Sequence, residues 1–296
     1  MFVRERGQGR SYTNEDNGRG STLKRFKKYV EGRNDLFIPF IMSGDPNEQA
    51  TIELAVELQD RGANVIELGI PYSDPLADGP VIQEAASRSL KNNTTLESSI
   101  KSVKKMREKG LKIPVIIFTY YNLLLQLGED YFFALARENE VDGILVPDLP
   151  YEEGEHLRAL CEKEGLALIS LVAPTTSEER LQQIAGNASG FLYCVSSLGV
   201  TGVRSEFHAS VFAFLEKVKK YSSAPVAVGF GVSKAEQVEA LKESCDGVIV
   251  GSALIKRVAS HEADLQDPKT REKAIKQIGD FAAALTAPYR TEKLST

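Results

Sequence analysis

The chain has 296 residues, of which 42% are hydrophobic and 26% charged, as is typical of a well-packed protein. This composition excludes an intrinsically disordered chain, and the length suits one large domain or two ordinary ones. The formal charge of −5 is unevenly placed, because residues 1–33 carry a net +5 and the remainder therefore −10. So acidic a body is a poor surface for nucleic acids.

The chain begins with a polar segment. Residues 1–21 show no periodicity, and we predict a disordered extension there, with an electrostatic arm as the less favoured alternative. Between Thr22 and Glu31, apolar residues recur at helical spacing, which predicts a short amphipathic helix. One domain is then expected over residues 22–290, followed by a tail at 291–296.

From Leu36 onward, short apolar runs alternate with loops and charged, helix-periodic segments. Near-continuous apolar strands indicate a parallel sheet covered on both faces, and eight such units in about 250 residues favour a single (β/α)8 TIM barrel over a doubly wound sheet. The first run is not followed by a dinucleotide-binding glycine motif, which weakens the open-sheet alternative. The eight predicted strands are Phe37–Ile41, Asn64–Leu68, Ile113–Thr119, Gly143–Val146, Ala167–Val172, Phe191–Val195, Pro225–Val228 and Gly247–Val250.

In such a barrel the active site lies where the strands end, so the residues after each run are the ones to inspect. Glu67 is an acid inside an apolar strand, where burial is costly unless the carboxylate is paired or used in catalysis. The loop after it carries Asp74, Asp78 and three prolines that stiffen it. Either aspartate could instead serve turn chemistry, which is the favoured interpretation for Asp74 because it precedes a proline.

Glycines follow the last strands of the predicted barrel. Gly202, Gly229, Gly231 and Gly251 fall where barrels often bind phosphate through backbone N–H groups and the N-terminus of a short helix. A helix beginning at Ser252 fits that role. Each glycine alone is weak evidence because turns need glycine anyway.

The stretch from Glu67 to Pro80 is similar, nearly residue for residue, to the signature of the tryptophan synthase α subunit family. Further similarity follows in the family's order over about residues 22–290, at Gly44-Asp45-Pro46, Val146 to Pro150, Gly199 to Gly202 and the later glycines. The resemblance implies a barrel that cleaves indole-3-glycerol phosphate to indole and glyceraldehyde 3-phosphate, a retro-aldol lyase reaction of tryptophan biosynthesis.

The same resemblance implies roles for individual residues. Glu67 and Asp78 stand at the family's two catalytic acids, and Thr201 looks like the residue of a loop that closes over the site. Positions implied to line the indole pocket or to position a catalytic acid are Phe40, Phe118, Tyr120, Leu145, Leu171 and Tyr193. Positions implied to bind the phosphate are Gly202, Gly231, Gly251 and Ser252, and Gly229 and Phe230 are implied to bind the substrate.

The resemblance also implies a partner. Family members work with a β subunit that uses pyridoxal phosphate (PLP), in an α2β2 heterotetramer, so no cofactor and no metal are expected in this chain. Two alternatives remain: a barrel kept mainly to activate the β subunit, and another phosphate-binding barrel of indole metabolism. Two departures from relatives, Ser197 in a loop and Pro147 after the fourth run, put loop closure and partner contacts in doubt.

Localisation follows from absences in the sequence. No stretch of 18 apolar residues occurs, and the first 30 residues contain no apolar signal core, so neither a membrane span nor a secretory signal is expected. Cys194 and Cys245 lie in apolar runs and are interpreted as core residues of a protein in a reducing compartment. We therefore expect a cytoplasmic protein.

Overall fold

The computed structural model of the chain describes residues 19–195 and 207–289. Strands and helices alternate along it. The strands are β1 (Leu36–Met42), β2 (Ile66–Gly69), β3 (Val115–Phe118), β4 (Gly143–Leu145), β5 (Ala167–Leu168), β6 (Ser170–Val172), β7 (Leu192–Val195), β8 (Val226–Gly229) and β9 (Gly247–Val250). The helices are α1 (Arg19–Tyr29), α2 (Glu48–Asp60), α3 (Pro80–Leu90), α4 (Leu96–Glu108), α5 (Tyr121–Leu127), α6 (Glu129–Glu138), α7 (Glu155–Glu164), α8 (Glu178–Gly186), α9 (Ala209–Tyr221), α10 (Ala235–Leu241), α11 (Ser252–Ser260), α12 (Glu262–Gln266) and α13 (Arg271–Leu285), before a 3₁₀ turn at Ala287–Tyr289.

All strands pair in parallel, in the order β5-β4-β3-β2-β1-β9-β8-β7-β6. The two ends of this order, β5 and β6, are separated in the chain by Ile169 alone, so they form one interrupted strand that closes the sheet into an eight-stranded barrel. The predicted (β/α)8 fold is confirmed. The predicted single run Ala167–Val172 is corrected, because β5 pairs only with β4 and β6 only with β7.

Alternate residues of each strand face opposite sides of the barrel wall. Inward-facing side chains such as Ile38, Ile116 and Ile249 form the barrel interior, whose lower end is covered by Phe26 of α1. Outward-facing side chains pack against the helices in a larger second core. Burial of each aliphatic side chain of this size contributes roughly 1.5–3 kcal/mol, which accounts for the apolar runs of the sequence.

The N-terminal end of the barrel contains a buried carboxylate with several partners. Asp142, just before β4, accepts from Nη1 of Arg25 at 2.9 Å, from Nη2 of Arg107 at 2.5 Å and from the Val115 N–H at 2.9 Å. Its side chain is fully buried, and Arg25 bonds Glu140 as well. This cluster ties α1 and α4 to the bottom of the sheet.

The chain ends differ in part from the prediction. Helix α1 begins at Arg19 and ends at Tyr29, so it starts three residues before the predicted Thr22, inside the segment assigned to the extension. Residues 1–18 and 290–296, which include the predicted tail, lie outside the described residues. In the described parts of the chain, the structure has no helix with the length and hydropathy that a membrane crossing needs. Cys161, Cys194 and Cys245 are buried free thiols, as the prediction of core residues for the latter two requires.

Candidate active site

The upper, C-terminal end of the barrel interior is lined by one or two residues from each strand. The register pairs Phe40 of β1 with Glu67 of β2, and Gly69 with Phe118 of β3. Alternation from the interior residues below them places the corresponding residues of the other strands on the same inner face. These inner positions are Phe40, Glu67, Phe118, Leu145, Leu171, Tyr193, Gly229 and Gly251.

Glu67 is a buried acid without a protein partner. Its side chain is 1% exposed, and neither carboxylate oxygen has a hydrogen-bond partner among the described residues. Burial raises the pKa of the Glu67 carboxyl from 4.5 to about 8, because the charged form is poorly solvated there. The group is therefore largely protonated at neutral pH and can donate a proton.

Asp78 reaches the site from the loop between β2 and α3 and is held by Tyr120. Partial burial raises the pKa of the Asp78 carboxyl, and a hydrogen bond from the Tyr120 hydroxyl opposes that rise. The same hydroxyl accepts from the Ala77 N–H at 3.0 Å, so Tyr120 fixes both the loop backbone and the acid. Tyr120 is itself buried, 5.1 Å from the ring of Tyr72 between centroids.

Tyr193 connects the two acids electrostatically. Burial raises the pKa of its hydroxyl well above the usual value, and the charges of Glu67 and Asp78 raise it further. Both carboxyls therefore lie within electrostatic range of one phenol, although they come from a strand and a separate loop. A Cβ on Gly229 would lie 2.7 Å from the Tyr193 hydroxyl, so the glycine leaves room for the ring.

Two aromatic rings form an apolar wall beside Glu67. Phe40 and Phe118 pack edge to face, with ring centroids 5.6 Å apart and planes at 87°. The Phe40 ring lies over Gly69, where a Cβ would approach it to 2.3 Å. Gly69 is therefore required by the position of Phe40, a role that the sequence analysis missed because no residue pattern shows which ring of another strand lies over the glycine.

The glycine positions of the last strands lie at the same end of the barrel as Glu67. Pro39 pairs with Val250, so Gly251 follows beside Phe40, and a Cβ on Gly251 would lie 3.5 Å from the Phe40 Cβ. Helix α11 begins at Ser252 without a side-chain cap, which leaves its first N–H groups open. Gly231 has a φ of +73°, a conformation that favours glycine.

Other residues singled out in the sequence lie away from the two acids or outside the described residues. Phe230 is partly buried and packs its ring 6.5 Å from that of Phe207, between centroids. Thr201, Gly202 and Ser197 fall outside the described residues. Asp74 is exposed and accepts from the adjacent Ser73 hydroxyl at 2.6 Å, which agrees with its interpretation as a turn residue.

Comparison with known proteins decides the family. The family model described as tryptophan synthase alpha chain matches residues 26–285. The chain belongs to the tryptophan synthase alpha chain family. A relative of that name from Geobacillus sp. (strain WCH70) is 57% identical over 255 residues, covering 86% of this chain and 97% of its own. The relative from Bacillus subtilis (strain 168) is 51% identical over 264 residues, with 89% and 98% covered.

Solved structures of the tryptophan synthase alpha family have the same fold. The alpha subunit from Legionella pneumophila str. Paris superposes with a TM-score of 0.79 at 33% identity, covering 93% of this chain and 99% of that one. A chain of the tryptophan synthase α2β2 complex from Pyrococcus furiosus superposes with a TM-score of 0.77 at 39% identity, with 86% and 98% covered. The described residues contain no group of His, Cys, Asp or Glu arranged to hold a metal ion.

Proposed function

We propose that Glu67 and Asp78 are the catalytic acids with which this chain performs the alpha reaction of tryptophan synthase. The reaction cleaves indole-3-glycerol phosphate into indole and glyceraldehyde 3-phosphate, so the chain is a lyase of L-tryptophan biosynthesis. The observation that carries the proposal is the buried Glu67 carboxyl, which has no partner for either oxygen among the described residues. A buried polar group without a partner is costly, and such cost is common where the group serves chemistry.

The chemistry requires a proton at C3 of the indole ring. Protonation converts the ring into an indolenine cation, and the bond between C3 and the glycerol chain then breaks, its electron pair returning to the ring. The glycerol carbon keeps its oxygen, which loses a proton and becomes the aldehyde carbonyl. Glu67 in its protonated form supplies the proton to C3, and its carboxylate can then accept the hydroxyl proton.

Asp78 acts on the charge that develops in this step. Positive charge spreads towards the indole nitrogen, and a carboxylate beside that N–H stabilises the transition state more than the substrate. The Tyr120 hydroxyl favours the ionised form of Asp78 and fixes its direction. No donor stabilises a charged Glu67, whereas the Tyr120 hydroxyl favours the charged form of Asp78, so two similar side chains take different roles.

The phosphate of the substrate binds at the last strands. The open N–H groups at the start of α11 and the backbone at Gly231 and Gly251 supply donors without a lysine. Phe40, on the strand between those of Glu67 and Gly251, forms with Phe118 an aromatic wall that packs on the indole ring. Leu145, Leu171 and Tyr193 complete the pocket, and the family resemblance assigns Thr201 and Gly202 to substrate binding as well.

The chain pairs with a tryptophan synthase β subunit in an α2β2 complex, and PLP belongs to that subunit. Indole released here is the substrate of the β reaction. The cytoplasm is the proposed compartment, since the three buried cysteines are unpaired and would remain reduced there.

The test is indole release from indole-3-glycerol phosphate by the full chain, alone and with a β subunit. Turnover alone indicates a self-sufficient lyase, and turnover only with the β subunit indicates a coupled one. No release in either case leaves a scaffold that activates its partner and refutes the proposal. The variant Asp74→Asn is a matched control in the chain alone, because this exposed acid of the same loop has no role in the site.

A further inference from the structure

The helices cover the barrel wall unevenly. Outward-facing strand residues are buried beneath the helices, as Ile66, Ile117 and Val226 illustrate. Within the described strands the exceptions are Leu168 of β5 and Ser170 of β6, both half-buried. Helices α7 and α8 therefore leave the wall uncovered along the interrupted strand.

A pocket of about 150 Å³ occupies this position. Its apolar walls come from Val146, Leu149 and Ile184, with Leu168 at the barrel wall. The inward-facing Leu171 also contributes, so the pocket reaches the seam where β6 no longer pairs with β4. We call it the strand-five pocket. It is distinct from the candidate active site except at Leu171, which belongs to both.

Two arginines line the strand-five pocket, and they differ in what they bind. Arg180 forms two bonds to the Glu152 carboxylate, at 2.7 and 3.0 Å. The Arg158 guanidinium lies 4.2 Å above the Tyr151 ring and donates to the Tyr151 carbonyl at 3.2 Å, but has no carboxylate partner among the described residues. Arg158 therefore brings an uncompensated positive charge, with most of its five N–H donors unused.

The strand-five pocket contains one further unused donor. The Ser170 hydroxyl lines the pocket and has no hydrogen-bond partner among the described residues. An apolar wall with one uncompensated cation and one hydroxyl matches a ligand that has an apolar ring and a single negative charge. A phosphate would find no apolar complement, and a neutral ring would leave the guanidinium unmatched.

We propose that the strand-five pocket binds a small aromatic carboxylate. The ring packs against Leu149, Leu168 and Ile184, and the carboxylate accepts hydrogen bonds from Arg158 and from Ser170. The Tyr151 ring orients the guanidinium by stacking beneath it, which lowers the entropy lost on binding.

The experiment is a calorimetric titration of the full chain with 2-naphthoate, whose bicyclic ring and single carboxylate fit the proposed chemistry. We expect one saturable site. Arg158→Gln is expected to weaken binding about ten- to a hundredfold, the usual loss when a charge-assisted hydrogen bond is removed. Arg180→Gln is the matched control, with a change below about threefold, because its guanidinium is already engaged by Glu152.

Two further measurements distinguish binding in the strand-five pocket from binding in the candidate active site. Ser170→Leu fills the pocket and should abolish binding, while the melting temperature shows that the variant folds. Saturating glycerol 3-phosphate should leave the affinity unchanged, because it occupies the phosphate cradle instead. Displacement of 2-naphthoate by glycerol 3-phosphate, equal effects of the two arginine variants, tight binding of neutral 2-naphthamide, or no saturable binding would each overturn the proposal.

Discussion

Two buried carboxylates at opposite ends of the barrel have opposite surroundings. Asp142, at the lower end, is bonded by Arg25, Arg107 and a backbone N–H. Glu67, at the upper end, has no partner among the described residues for either oxygen. Both are desolvated, and burial is the largest cause of the raised pKa in each. The charge at the lower end is compensated and holds elements together, whereas the upper group avoids charge by keeping its proton.

The largest effect should follow from Glu67→Gln, which keeps the shape of the side chain and removes its ionisation. We expect indole release to fall by about 10²–10⁴-fold, the range for losing a general acid or base. The thermal melt at pH 4 should be nearly unchanged, because the carboxyl is neutral in the folded state and mostly neutral in the unfolded state there. Wild-type turnover by the folded variant would contradict the assignment.

Glu67 also makes a prediction about stability and pH. Its pKa is about 8 in the folded chain and near 4.5 when unfolded, so the folded state holds an extra proton between these values. The contribution of Glu67 to the free energy of unfolding is fully present below about pH 4.5 and is lost as pH rises through about 8. Between these values the loss is roughly 1.4 kcal/mol per pH unit. Urea unfolding should show Glu67→Gln gaining on the wild type as pH rises from 5 to 8. Parallel curves would contradict the raised pKa.

Replacing Asp142 at the lower end of the barrel should lower stability and leave catalysis nearly unchanged. Asp142→Asn leaves the buried Arg107 guanidinium without its anion, while Arg25 keeps Glu140, and breaking a buried pair in this way typically costs about 3–5 kcal/mol. Urea unfolding measures this loss, and the folded fraction should retain indole release within about twofold. Glu97→Gln, which breaks the exposed pair with Lys101, is the control and should leave the unfolding midpoint unchanged. Lost turnover in folded Asp142→Asn would show that the two ends are coupled.

The contrast also marks what the sequence could predict. Apolar runs locate each of the strands, since each run needs both faces buried, and Glu67 stood out as an acid in such a run. The residue pattern could not reveal that the fifth strand is interrupted at Ile169. The interruption depends on pairing, because the residues before Ile169 pair with β4 and those after it with β7. Nor could it reveal that Gly69 is required by a ring from another strand, since the contact joins residues 29 positions apart.

Asp78 tests the electrostatic half of the site. Asp78→Asn keeps the side-chain volume and removes the charge that faces the indole N–H, so turnover should fall by about 10²-fold, the scale of one preorganised charge or donor. Steady-state indole release measures it. Asp74→Asn, in the same loop but exposed, should change turnover less than twofold in the chain alone. Similar losses in both variants would mean that loop folding, not the Asp78 charge, is being measured.

The smallest of these effects should come from Tyr120→Phe, which removes the donor to Asp78 and keeps the buried ring. Hydrogen bonds to charged groups are worth about 1.5–3 kcal/mol, and water can replace part of the loss, so kcat should fall about tenfold. The hydroxyl lowers the pKa of Asp78, so its removal should raise that pKa and move the acid limb of the pH profile of kcat to higher pH. Tyr72→Phe, which loses only the 3.2 Å contact with Asn122, should leave that limb in place. A merely structural role for Tyr120 would lower the melting temperature without moving the limb, so the pH profile shows whether the phenol acts through the charge of Asp78.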